Sequence, residues 1–162
     1  MADKVVTNLC IIHKHPKILL GLKKRRFGEG LWNGFGGKVD TDESVESSLI
    51  RELKEEVGLE PINMEKRGLL NFEFESGSAP MEIHLFYMTE FKGEPEETEE
   101  MSPQWFHVDK IPFHQMWPED AYWMPLLLAG KKFKGKFILD KPSNSTHISK
   151  IVSNELSEVE DL

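Results

Sequence analysis

The stretch "RELKEEVG" at residues 51–58 sets three glutamates, Glu52, Glu55 and Glu56, three and four positions apart. On a helix those spacings make neighbours, and like charges there destabilise an isolated helix by roughly 0.2–0.5 kcal/mol per pair. The flanks argue for a helix. Val45, Leu49, Leu53 and Val57 recur every fourth residue, Gly58 stops the pattern and Pro61 follows. At about 100° per residue the three carboxylates share roughly one third of the circumference, with Glu56 at the edge of the apolar stripe. Carboxylates shielded from water repel more strongly there. A solvated helix face is the plain explanation for such acids; a divalent cation would instead turn their repulsion into affinity. Oxygen-only ligands select a hard ion, Mg²⁺ or Mn²⁺, whereas zinc favours Cys and His. Cys10 stands alone, and His13 and His15 read as turn residues.

Outward from this helix the chain reads as strands. "VVTNLCII" (5–12) and "ILLGL" (18–22) suit a hairpin across "HPK", and the glycine-rich 23–38 suits a shaped loop. "RGLLNFEFE" (67–75) and "MEIHLFYMTEF" (81–91) alternate as an antiparallel pair, and "QWFHV" (104–108) is a short strand. "PEDAYWMPLLLAG" (118–130) opens on Pro and two acids and closes on Gly, the order of a helix, which Pro125 limits or kinks. "KFKGKFIL" and "THISKIV" suggest a last hairpin, and the acidic residues 153–162 are expected to fray. The class is α/β, one domain over residues 1–162.

The 162 residues are 39% hydrophobic and 30% charged, ordinary for a globular chain. A net charge of −8 argues against a nucleic acid polymer as partner. One cysteine excludes an internal disulfide and fits a reducing compartment. The start carries no signal-peptide pattern, and no apolar run approaches the roughly 20 residues a membrane span needs. "NST" at 144–146 is then a turn rather than a glycosylation site. A cytoplasmic location, with mitochondrial or nuclear pools open, and a monomer are the expectations.

Around the helix, Gly37, Glu43, Arg51, Glu52, Glu55, Glu56 and Gly58, with Leu53 and Leu59 at the apolar sites, fill every fixed position of the Nudix box. The chain therefore resembles the Nudix hydrolases. "LLGLKKRRFGEGLWNGFGGKV", "FEFE", "EEM" before "PQWF" and "IPFHQMWPEDAYWMPLLL" extend the similarity, over about residues 18–140, to the animal MutT-type branch acting on oxidised purine nucleoside triphosphates. The resemblance implies an α/β/α sandwich with mixed sheets. It implies that Glu52, Glu55, Glu56 and Glu100, with a backbone carbonyl of the Gly36–Gly37 pair, hold Mg²⁺ on a triphosphate. Water then attacks the β-phosphorus, releasing monophosphate and pyrophosphate. Glu52 is the first choice for general base and Glu56 the second, while Arg51 orients the glutamates. Glu43, near the helix start, has a dipole role available.

For the substrate, the resemblance implies Lys23 and Lys38 near the phosphates, and Asn33, Phe35 and the glycine pair in the loop. It places Phe27, Phe72, Phe74, Met81 and Trp117 against the base. Asn8 is the match by register for a first-strand threonine, with Thr7 competing. Pro118 leads into an acid pair, Glu119–Asp120, where the family pattern is Asp-Asp. Two first-turn acids are also what a helix dipole favours. A longer carboxylate at Glu119 implies altered selectivity among modified purines such as 8-oxo-dGTP and 2-oxo-dATP. Competing readings are a Nudix enzyme for another diphosphate-linked nucleotide, or a silent nucleotide-binding relative; the intact box argues against the latter.

Overall fold

The computed structural model describes residues 3–162. Ten strands and two α-helices appear in the order β1 (Val5–Lys14), β2 (Lys17–Lys23), β3 (Trp32–Asn33), α1 (Val45–Val57), β4 (Glu60–Pro61), β5 (Glu65–Phe74), β6 (Met81–Met88), β7 (Phe91–Lys92), β8 (Met101–His107), α2 (Asp120–Leu128), β9 (Lys132–Leu139) and β10 (Ile151–Val159). The large sheet runs β10-β9-β5-β6-β1-β2-β3, with β8 also on β2, while β4 and β7 form a separate pair. β1 pairs parallel with β6 and β5 parallel with β9; the other ladders of the large sheet are antiparallel. The sheet is mixed, as expected.

Alternation along β1 divides the interior. Cys10 and Ile12 pack with Leu49, Leu53 and Val57 of α1, whereas Ile11 packs with Trp123 and Leu127 of α2. One helix therefore covers each face, the α/β/α sandwich. Cys10, Ile11 and Ile12 are all fully buried, which is why "LCII" shows no polar alternation. Burying each such aliphatic side chain contributes roughly 1.5–3 kcal/mol. Pro125 sits inside α2, which ends within a turn of it.

The C-terminus corrects two expectations. Residues 153–159 do not fray. Ile151–Val159 pairs antiparallel with β9, from Ile151↔Leu139 to Val159↔Lys132, and this segment, not 146–152, is the hairpin partner. Only a thin row, Ile151, Leu156 and Val159, is even half-buried. The strand is held by its ladder and presents Glu155 and Glu158 outward, the charged edge that discourages pairing with other chains. Acidic composition signalled solvent; it could not reveal the ladder.

Candidate active site

Ser44 caps α1 by accepting from the Ser47 amide at 3.1 Å, and Gly58 closes it at φ 75. With Leu49, Leu53 and Val57 fixed in the core, the orientation of the glutamates follows. Glu55 faces solvent, Glu52 is half-buried, and Glu56 is only 3% exposed. Arg51 relieves the crowding from outside. Its Nη1 lies 3.2 Å from both Glu52 Oε1 and Glu55 Oε2, and its Nη2 donates to Glu43 Oε1 at 2.7 Å. Arg51 thus orients two box glutamates, and Glu43 serves as its anchor. The Arg51 hydrogen bond holds the Glu43 carboxyl down at about 2, and Glu43 in turn raises the guanidinium.

Burial raises the Glu52 carboxyl against the opposing charge of Arg51. It pushes Glu56 up to about 8, although the Gly36 amide donates to Glu56 Oε1 at 2.7 Å and favours the ionised form. Glu100 moves the other way, lowered chiefly by its hydrogen bond from Arg25.

The glycine pair is required by close approach. A Cβ on Gly36 would lie 2.1 Å from the Asn8 carbonyl oxygen, and one on Gly37 would lie 2.7 Å from the Glu52 carboxylate. Asn8 ties this together. Its Oδ1 accepts from the Gly37 amide at 2.9 Å, its Nδ2 donates to the Val45 carbonyl at 3.1 Å, and its own amide donates to the Gly37 carbonyl at 3.0 Å. β1, the glycine pair and the start of α1 are one braced unit.

From this acidic end a cavity of about 1010 Å³ runs to the first turn of α2. Its wall includes Asn8, Lys23, Phe27, Asn33, Gly36, Gly37, Lys38, Glu52, Glu55, Glu56, Phe72, Phe74, Met81, Glu100, Trp117, Glu119 and Asp120. The rings of Phe27 and Trp117 lie 5.2 Å apart, with Phe74 6.4 Å from Trp117. Asn33 Oδ1 accepts from the Gly34 amide at 3.0 Å.

Glu119 and Asp120 are not solvated first-turn acids: each is only 3% exposed. Trp123 Nε1 donates to Asp120 Oδ1 at 3.1 Å, while Asp120 Oδ2 and Glu119 Oε2 have no partner. Burial raises both carboxyls, and the Asp120 charge raises Glu119 further. Two neighbouring buried carboxyls do not both ionise readily, and a protonated one can donate as well as accept.

Two residues expected at the site stand back from the wall. Phe35 is fully buried on the α1 face, because its backbone bridges Cys10 and its ring fills the core beneath the glycine loop. Pro118 lies between two wall residues without lining the cavity. Conversely Arg25, Arg26, Thr98 and Pro142 line it without having been singled out. "KKRR" reads as solvated surface, and Pro142 belongs to a loop whose docking no local pattern announces. Arg26 adopts φ 67, a left-handed conformation costing a side-chain-bearing residue roughly 1–2 kcal/mol.

Among the described residues no three His, Cys, Asp or Glu side chains form a ready-made metal cage. The donors nonetheless fit a hard divalent ion. They are all oxygens, they share one cavity wall, and Glu56 is a desolvated carboxylate whose charged form a cation would favour.

A box of this spacing, braced on a mixed sheet between two helices, defines the Nudix class, and residues 3–127 match the NUDIX domain; the chain belongs to the Nudix hydrolase family. Nudix hydrolases generally need divalent metal ions. Among its relatives is the oxidized purine nucleoside triphosphate hydrolase of Danio rerio, 46% identical over 160 residues, covering 99% of this chain and 98% of the relative. The Mus musculus protein of that name is 47% identical over 137 residues, covering 85% and 88%. The crystal structure of a MutT protein from Bacillus halodurans superposes with a TM-score of 0.79 at 25% identity, over 94% of this chain and 97% of that one. No helix among the described residues is long and apolar enough to cross a membrane.

Proposed function

We propose that this chain, a single domain over residues 1–162, hydrolyses oxidised purine nucleoside triphosphates such as 8-oxo-dGTP and 2-oxo-dATP to monophosphate and pyrophosphate. The observation that carries this reading is one cavity with two chemically distinct ends. The box acids lie at one end, and a buried acid pair behind aromatic walls lies at the other. The first end suits a metal-bound triphosphate, the second a purine edge. Mg²⁺, with Mn²⁺ able to substitute, would be held by Glu52, Glu55, Glu56, Glu100 and a glycine-loop carbonyl. The Gly37 carbonyl already accepts from Asn8, which favours that of Gly36. Such an ion neutralises phosphate oxygens and acidifies bound water.

The protein side of the reaction is positioning. Arg51 and the Gly36 amide fix the carboxylates, and Lys23 and Lys38 face the phosphates. Glu56 is tied to Gly36, which leaves Glu52 as general base. Asn33 and the Glu119–Asp120 pair hydrogen-bond the base edge, and Phe27, Phe72, Phe74, Met81 and Trp117 pack on its faces. A small nucleotide substrate, no polymer or membrane partner, a monomer and a cytoplasmic location complete the reading. Pyrophosphate release with Mg²⁺ across modified and ordinary dNTPs tests it. The oxidised purines should exceed dGTP and dATP in kcat/KM by at least about tenfold, because unsatisfied polar groups reject the wrong edge, and EDTA should abolish turnover. Equal rates for oxidised and ordinary purines would reject the substrate assignment.

A further inference from the structure

Lys23, the last residue of β2, pairs with Met101, the first of β8. The basic run 23–26 and the acidic run 96–100 therefore leave the sheet side by side, joined where the Lys24 amide donates to the Glu100 carbonyl at 2.9 Å. Their side chains form a ladder of ion pairs. Lys24 meets Glu97, Arg25 Nε donates to Glu100 Oε1 at 3.0 Å with its Nη2 on the same oxygen, and Arg25 Nη1 lies 3.7 Å from Glu99. Arg26 Nη1 lies 3.7 Å from Glu100. Both arginines line the cavity at its box end with Lys23.

We propose that Arg25 and Arg26 bind the triphosphate, and that in doing so they release Glu100. The guanidinium groups exchange one carboxylate for phosphate oxygens, and the freed carboxylate turns to the divalent ion. The inference rests on the metal–triphosphate part of the reading above. Two observations carry it.

Glu100 shares the cavity wall with the box glutamates, yet its Oε1 is occupied by arginine. An exposed carboxylate pair is weak, whereas guanidinium meets phosphate oxygens in paired, charge-assisted hydrogen bonds. Arg26 keeps a left-handed backbone while its side chain is 72% exposed, so its own burial does not offset that strain. Strain retained at a cavity lip is what a binding role explains.

The exchange makes phosphate and metal binding mutually supportive, and such coupling is reciprocal. The probes are inorganic tripolyphosphate in EDTA, followed by calorimetry, and Mn²⁺ alone, followed by electron paramagnetic resonance. Arg25→Gln and Arg26→Gly should each weaken tripolyphosphate binding by roughly threefold or more, the scale of one exposed ion pair. Arg25→Gln should tighten Mn²⁺ binding by a similar factor, and Glu100→Gln should tighten tripolyphosphate binding. A residue that merely held the loops together would weaken both ligands. Tripolyphosphate affinity unchanged in both arginine variants, or Mn²⁺ affinity equal or lower in Arg25→Gln, overturns the exchange. These probes carry no base, so a wild-type enzyme indifferent to purine oxidation would defeat the substrate assignment and leave this test intact.

Discussion

Replacing Gly37 by alanine would separate the two jobs of the glycine pair. The new methyl lies 2.7 Å from both the carboxyl carbon and Oε1 of Glu52, and 3.0 Å from Oε2. Ordinary contact begins near 3.5 Å, so the carboxylate must retreat by about 0.8 Å. The helix cannot yield with it, because Leu49 and Leu53 are fully buried on its other face. The side chain moves instead, which costs little stability; misplacing a reacting group by about 1 Å costs about 10²-fold in rate. Gly37→Ala should therefore lower kcat about 100-fold in a pyrophosphate-release assay at saturating Mg²⁺, with Tm within about 2 °C of wild type. Gly36→Ala is the contrast. Its methyl would lie 2.1 Å from the Asn8 carbonyl oxygen and 2.7 Å from its carbon, so backbone must part from backbone. A loss of about 3 kcal/mol and a Tm drop of about 6–12 °C are expected. Near-normal kcat in Gly37→Ala, or equal melting of the two variants, would refute the placement of Glu52 against the glycine loop.

Glu119→Asp draws the carboxylate back by about 1.5 Å, one C–C bond, and should reorder kcat/KM among 8-oxo-dGTP, 2-oxo-dATP and methylated purine dNTPs; superimposable profiles would show that Glu119 does not read the base. Burial raises Asp120 and Glu119, so above the ordinary carboxylate range the folded chain keeps protons the unfolded chain has lost, and stability falls as pH rises through that window. Asp120→Asn mimics the protonated form and should reduce the loss of Tm between pH 5.5 and 7 by about 2–6 °C, for roughly 1–2 kcal/mol removed; an undiminished loss would place the charge elsewhere. Deleting residues 151–162 strips β10 from β9 and should lower Tm by about 5–10 °C, for roughly 2–3 kcal/mol of ladder and side-chain burial. A dispensable tail would leave melting unchanged.

The helix was legible because its signal is local and periodic, whereas the sandwich followed from the family resemblance. Val45, Leu49, Leu53 and Val57 mark one face of α1, and the apolar "VVTNLCII" marks β1 as a strand, whose burial on both sides only the fold reveals. The box spacing by itself groups Gly37, Glu43 and the glutamates. What stayed hidden depends on partners distant in sequence. β10 carries too few apolar residues to announce a strand and exists through its ladder with β9. The arginines of 25–26 gain meaning only because β8 returns beside β2. Phe35 misled because glycine-loop membership does not fix which face a side chain takes; pairing with Cys10 turned it into the core.

The acid pair shows why composition and position could not by themselves separate structure from function. An acid at a helix start ordinarily stabilises in two ways: it caps an orphan amide, worth about 1 kcal/mol, and it meets the dipole from solvent. Glu119 occupies the cap position of α2 yet makes no side-chain cap bond. It turns inward, where one carboxylate oxygen is buried without a partner, and beside it Asp120 leaves another unpaired. The fold thus forgoes a cap and bears desolvation of two carboxyls, a combination that destabilises the empty protein. A ligand offering both donors and acceptors to these oxygens reverses that cost on binding, and a purine edge offers both. The same logic governs α1, where Glu56 is buried beside the Gly36 amide. Each end of the cavity holds a buried acid whose charged form desolvation disfavours, and a metal-bound purine triphosphate supplies complementary chemistry to both.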